Sequence, residues 1–205
     1  MRIEIFSDVI CPWCFIGKRR FETAISRLRD RGVDVQVDYV FRPFQLDPTA
    51  PTDLPTPAKD AYAKKFGGPE KATEILAHVT SVAAQDNISF NMDIAVRANT
   101  FLAHRMLSYA LNNYGAEVQI MLKEFIMDAY FQNGQNIGDI EVLGDCAESA
   151  GISRQEALDF LASDALVGKV QAEIAEASEL GVTAVPTFII NGQWSVPGAQ
   201  DVEMF

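Results

Sequence analysis

Strand-forming sequence occurs only near the two ends of this 205-residue chain, and that distribution restricts its fold more than any other feature. Arg2 to Phe6 reads as a strand, with Ile3 and Ile5 apolar and Phe6 beside them. Val33 to Phe41 sets Val35, Val37, Tyr39 and Phe41 against Gln36 and Asp38. At the far end Thr187-Phe188-Ile189-Ile190 reads as a buried strand. Asn191-Gly192 is a two-residue hairpin signal, and Trp194-Ser195-Val196 begins the return strand. From about Ala58 to Leu180 nearly everything has helical spacing, in segments near 58–66, 69–86, 99–114, 117–132, 139–150, 154–162 and 165–180. Either half-sheet alone is too small to bury a core. The economical solution is an α/β fold: one sheet completed by both ends of the chain, with a large all-helical domain inserted.

Local signals set the boundaries. A helix is predicted from Pro12 to Asp30, with Pro12 in the first turn, where its missing N–H would have no partner anyway. Phe21, Ala24, Ile25 and Leu28 recur at helical spacing, and Gly32 stands where a helix-ending glycine belongs. Strand, helix, strand with short links is a βαβ opening. Pro43, Pro48, Pro51, Pro55 and Pro57 then mark a loop that continues neither sheet nor helix. Ser153 with Glu156 three residues on predicts a capping box. The expected domains are 1–44 with 167–205, and the helical insertion 45–166. Asp201 to Phe205 read as the first turn of another helix, so the final helix of the sheet domain is expected to lie beyond the chain.

Hydrophobic residues make up 48% and charged residues 22%, ordinary proportions for a folded domain. A formal net charge of −11 argues against a nucleic-acid surface, which needs clustered Lys and Arg. No stretch approaches a membrane span. The start is a strand pattern rather than a secretory leader, so the expected location is the cytoplasm. Three cysteines are too few for a disulfide scaffold, and a close pair in that compartment points to a transient, catalytic disulfide.

That pair is Cys11 and Cys14, three apart at a predicted helix start, so their sulfurs share one face. Unpaired N–H groups and the helix dipole stabilise a thiolate there. A free thiol of pKa about 8.5 is only a few per cent ionised at neutral pH, and lowering the pKa makes it a nucleophile. One thiolate attacks a substrate disulfide and the other resolves the mixed disulfide. Zinc is the competing use of such a pair. A closed site needs four ligands, and only Cys146, His78 and His104 remain, none at paired ligand spacing. No metal and no bound organic cofactor are expected.

The segments SDVICPWCFIGK at 7–18 and GVTAVPTFIINGQWSVPGAQ at 181–200 resemble the two halves of a DsbA-like thioredoxin fold. The resemblance is to the FrnE-like subgroup, relatives of 2-hydroxychromene-2-carboxylate isomerases and kappa-class glutathione transferases. RPFQL at 42–46 and NTFLAHR at 99–105 extend it over nearly the whole chain. It implies a protein disulfide oxidoreductase with Cys11 as nucleophile, Cys14 as resolving thiol and Pro186 as a cis-proline facing them. Substrate contacts would come from Val185, whose backbone can pair with an extended segment, and from Pro12 and Trp13. Ala184 stands where these relatives often have glycine. Strongly oxidising relatives usually carry histidine between the cysteines. Trp13 has no such charge, so a less depressed thiol and a less oxidising couple are expected. The implied partners are protein or small-molecule thiols and disulfides, with glutathione as a candidate co-substrate. The isomerase relatives instead usually have serine at the position of Cys11, and the alternative implied is a glutathione-dependent isomerase or transferase. The oligomeric state is left open.

Lesser expectations concern single residues. Asp8 is expected to cap the helix or stay solvated, with proton transfer to the thiols as its other role. Lys18 is expected at the surface. Cys146, on one helical face with Leu143, Ala147 and Ala150, reads as a small buried hydrophobe. His104 is expected to make a structural hydrogen bond. Phe125, Phe131, Tyr109, Met106 and Met121 fit core packing.

Overall fold

The computed structural model describes residues 1–34, 36–53 and 55–205. Its main sheet is assembled from both ends of the chain. β1 (Arg2–Ser7) lies parallel to β2 (Asp38–Pro43) and antiparallel to β5 (Thr187–Ile190), which pairs with β6 (Trp194–Pro197). The strand order is β2-β1-β5-β6. Asn191 and Gly192 both have positive φ, 50° and 67°, and the Gln193 N–H donates to the Ile190 carbonyl at 3.0 Å. This is the turn whose twist matches a hairpin.

Alternation along β1 gives the sheet two apolar faces. Ile3 and Ile5 share a face with Phe41 and Phe188, and α1 (Pro12–Asp30) lays Phe21 and Ile25 over them. Phe6 points the other way, where Ala177 of α8 (Val167–Glu179) and Val182 cover it. The helix end at Gly32 forms as its sequence indicates. Gly32 has φ 75°, and the Val33 N–H reaches back to the Leu28 carbonyl at 3.0 Å.

That helix end also corrects the expected second strand. Val33 closes α1 instead of opening a strand, and β2 starts at Asp38, opposite Arg2, because a parallel ladder begins where its partner begins. Val35, part of the expected alternation, lies outside the described residues. Pro43 sits in β2 rather than in a loop, which an edge strand tolerates. The rest of that edge is covered from the insertion. Gln119 accepts the Phe41 N–H at 2.9 Å and donates to the Phe41 carbonyl at 3.0 Å, pairing as a neighbouring strand would.

The helical block comprises α2 (Ala58–Phe66), α3 (Pro69–Gln85), α4 (Phe101–Tyr114), α5 (Ala116–Phe131), α6 (Ile140–Ser149) and α7 (Arg154–Ala162). β3 (Thr56–Pro57) and β4 (Val96–Arg97) form a two-residue ladder that sequence reasoning did not anticipate. Met106, Leu122, Ile126 and Phe131 pack in one cluster with Val9, Cys14, Phe15 and Ile16, so the block closes over the N-terminal end of α1. Two expected core residues are instead substantially exposed, Met121 at 46% and Phe125 at 37%. Both lie on the outer side of α5. The capping box is also absent. Ser153 occupies the N-cap without a side-chain bond, while the Glu156 carboxylate accepts the hydroxyls of Tyr109 at 2.6 Å and Tyr114 at 2.7 Å. Asp201 to Phe205 make one turn, which sets the Phe205 ring 4.7 Å from Phe188 and 5.5 Å from Phe21. Among the described residues no helix is long and apolar enough to cross a membrane.

Candidate active site

β1 delivers the chain to the start of α1, and Cys11 takes the N-cap with extended backbone angles. Its N–H donates to the Asp8 carbonyl at 3.3 Å, and the Cys14 N–H donates back to the Cys11 carbonyl at 3.0 Å. The Cys11 sulfur faces the loop before β5, and neither cysteine is in a disulfide. Cys11 Sγ lies 3.7 Å from the Val185 carbonyl oxygen, and the Val185–Pro186 peptide bond is cis. Pro186 is buried against α1, where Gly17 permits the approach: a Cβ there would lie 3.0 Å from Pro186 Cγ. The Pro186 carbonyl accepts the Gly198 N–H at 2.7 Å, and Thr187 Oγ1 donates to the Ala184 carbonyl at 2.8 Å. Pro12 is buried beneath this surface. Trp13 is 38% exposed, its ring 6.4 Å from that of His78, and Val185 is half-buried.

The two thiols behave as one unit. Cys11 is 4% exposed and Cys14 1%. The Cys11 thiol is pushed well above its ordinary pKa because it donates its hydrogen bond to Cys14, with burial adding to the effect. Burial alone would push Cys14 up as well. The hydrogen bond from Cys11 and the positive charge of Lys123 outweigh it, and Cys14 is held below its ordinary value. The two thiols titrate as a coupled pair, Cys11 shifted up and Cys14 down. The sequence pointed to Cys11 as the thiol with the lowered pKa, whereas here the lowering falls on Cys14, first from its hydrogen bond with Cys11 and then from Lys123, a buried lysine that sequence reasoning did not single out.

The polar residues around the pair also differ from expectation. Asp8 neither caps α1 nor meets solvent. It is fully buried, and its carboxylate accepts the N–H groups of Val9 and Leu46, each at 2.8 Å, and lies 3.1 Å from His104 Nε2. It ties the proline-rich loop to the cysteine loop, and His104 makes its structural hydrogen bond here. Lys18 is buried too, clamped between Glu22 at 3.0 Å and Glu124. Cys146 lies in the core of α6, and burial pushes its thiol up to about 12. It packs as a small hydrophobe.

A cleft of about 690 Å³ opens beside Ile10, next to Cys11, between Leu46, Tyr62 and Tyr130, with Lys64 and Arg97 at its rim. Among the described residues no group of three or more His, Cys, Asp and Glu side chains is placed to hold a metal ion.

The DSBA-like thioredoxin domain family matches residues 2–205. Protein YwbO of Bacillus subtilis (strain 168) is 31% identical over 208 residues, covering 100% of this chain and 94% of its own length. The crystal structure of a probable DsbA oxidoreductase from Streptomyces coelicolor superposes with a TM-score of 0.89 at 31% identity, covering 100% of this chain and 86% of that one. A 2-hydroxychromene-2-carboxylate isomerase shares the fold at a TM-score of 0.67 and 18% identity, over 100% of this chain and 92% of its own. The family match spans residues 2–205 and the Streptomyces structure superposes over the whole chain, and the chain belongs to the DsbA-like thioredoxin family.

Proposed function

We propose that this protein is a thiol–disulfide oxidoreductase that exchanges the Cys11–Cys14 dithiol and disulfide with protein or small-molecule thiol partners in the cytoplasm. The observation that carries the proposal is the placing of two coupled thiols at the start of α1 beside a backbone edge, Cys11 Sγ lying 3.7 Å from the Val185 carbonyl. As a substrate disulfide approaches, the Cys11 proton passes to Cys14 and the charge moves to Cys11, the sulfur nearer the surface. Cys11 attacks, and one substrate sulfur leaves with the electron pair and takes up a proton. Cys14 then gives up its proton and attacks the Cys11 sulfur. The second substrate sulfur is released as a thiol, and the Cys11–Cys14 disulfide remains. Val185 and exposed Trp13 border the approach, and the cleft at Ile10, Tyr62 and Tyr130 has room for a small thiol such as glutathione.

The second reading, a glutathione-dependent isomerase or transferase, has the shared isomerase fold in its favour. Two cysteines placed to exchange a proton favour redox chemistry over it, since activating glutathione needs only one group. Equilibration with glutathione buffers, followed by thiol trapping, separates the readings. The expected couple is reversible and lies between about −270 and −120 mV, the range from thioredoxin to strongly oxidising DsbA. A pair that never oxidises across that range would overturn the proposal.

A further inference from the structure

Lys123 lies on α5 with no exposed surface. Its ammonium group has no hydrogen-bond partner among the described residues and rests 4.6 Å over the Phe41 ring. A buried ammonium ion without partners is costly, and proteins rarely keep one without use. Two other buried polar atoms share its condition, Ser7 Oγ and Arg42 Nε. Residues Ser7, Arg42 and Lys123 line one small cavity, together with His104 and Glu173. Its volume is ≈ 10 Å³. This corner lies directly beneath the cysteine loop: Ser7 ends β1 and adjoins Asp8, and α5 packs in the same cluster as Cys14.

We propose that Lys123 is a positioning residue for the second step of thiol exchange, its buried ammonium ion being the counter-charge that allows Cys14 to ionise inside the core. The proposal rests on the oxidoreductase reading for its role in turnover. In the mixed disulfide between Cys11 and substrate, the Cys14 S–H releases its proton to solvent and the thiolate is held by the Lys123 charge. It attacks the Cys11 sulfur, a Cys11–Cys14 bond forms, and the bond to substrate breaks with its electron pair on the departing sulfur, which is protonated by water. The charged and titratable groups facing Lys123 are Cys14, Asp8 and Cys11, which favour its ammonium form, and Lys18, which opposes it. Arg42, His104 and Glu173 face it across the cavity. The lowered Cys14 thiol, with Lys123 among its causes, agrees with this arrangement.

The test reads ionisation directly and needs no substrate. In a Cys11→Ser protein the Cys14 thiolate is followed by its ultraviolet absorbance against pH, with and without Lys123→Met. Cys146 is expected to stay silent below pH 10 because burial pushes its thiol up to about 12. Loss of the counter-charge is expected to raise the Cys14 midpoint by about one unit or more. In the protein with both cysteines, resolution of a preformed mixed disulfide at pH 7 should slow about tenfold, and by more than attack by Cys11 slows. Lys123→Gln, neutral and still polar, should give the same two results, and it serves if the methionine protein does not fold. An unmoved Cys14 midpoint, or equal slowing of both steps, would overturn the proposal. A protein that shows the shift but turns over no disulfide contradicts the oxidoreductase reading and leaves the role of Lys123 standing.

Discussion

A buried ammonium ion makes the folding of this protein depend on pH in a direction that can be worked out. Lys123 ordinarily titrates at 10.5, and burial brings it down to about 8 against the opposing pull of Cys14 and Asp8. Between those values the unfolded chain holds a proton that the folded chain has released, so the contribution of this group to stability rises with pH. Below pH 8 the full cost is present, about 3 kcal/mol for a shift of that size. Lys123→Met removes it. In the oxidised protein, where Cys14 has no charge, the variant is therefore expected to unfold at higher urea than the wild type at pH 7, with the difference closing as pH approaches 10. A lead for the methionine protein that is constant with pH would contradict the account. The same residue shows what the sequence did contain. Lys123 stands three, four and seven positions before Ile126, Met127 and Tyr130, all buried, so a lysine on the apolar stripe was visible as an anomaly. Asp8 and Lys18 had no such signal. Their burial depends on Leu46, His104 and Glu124, brought in from distant segments that local spacing cannot reveal.

Close approach at α1 is decided by an element, not by a single contact. Gly17 lies where the helix presses on Pro186 and Ala199, and an added Cβ would be 3.0 Å from one and 3.4 Å from the other. Gly17→Val is expected to push the proline loop off the helix, destabilising the protein by about 1–3 kcal/mol in urea unfolding and slowing thiol exchange as Val185 is displaced from Cys11. An unchanged unfolding midpoint would show that the loop yields freely. Helices were the most legible elements, because α1, α2 and α7 run over the expected residues and the others differ by only a residue or two at an end. The strands were less so. β2 begins where β1 does, a constraint carried by the pairing and absent from its own alternation. β3 and β4 are too short, with a proline in one, to have any period.

At the scale of the molecule, both chain ends form the sheet and the helical block supplies the roof and the buried charge of the site. That division was legible from the distribution of strand patterns alone, and CPWC with VPTF marked the candidate site. Hidden from the sequence was the electrical character of the site. Cys14 is held below its ordinary value by its hydrogen bond with Cys11 and, next, by Lys123, which α5 of the insertion brings near it. The roles of the two cysteines are therefore unequal, and a single replacement separates them. With Cys14→Ala, Cys11 can still attack but nothing resolves the product. Incubation with a disulfide substrate should then accumulate mixed disulfides, seen on a non-reducing gel as adducts that dithiothreitol removes, while Cys11→Ala forms none. A Cys14→Ala protein that forms no adducts and keeps full activity on its substrate would contradict dithiol exchange as the function of this site.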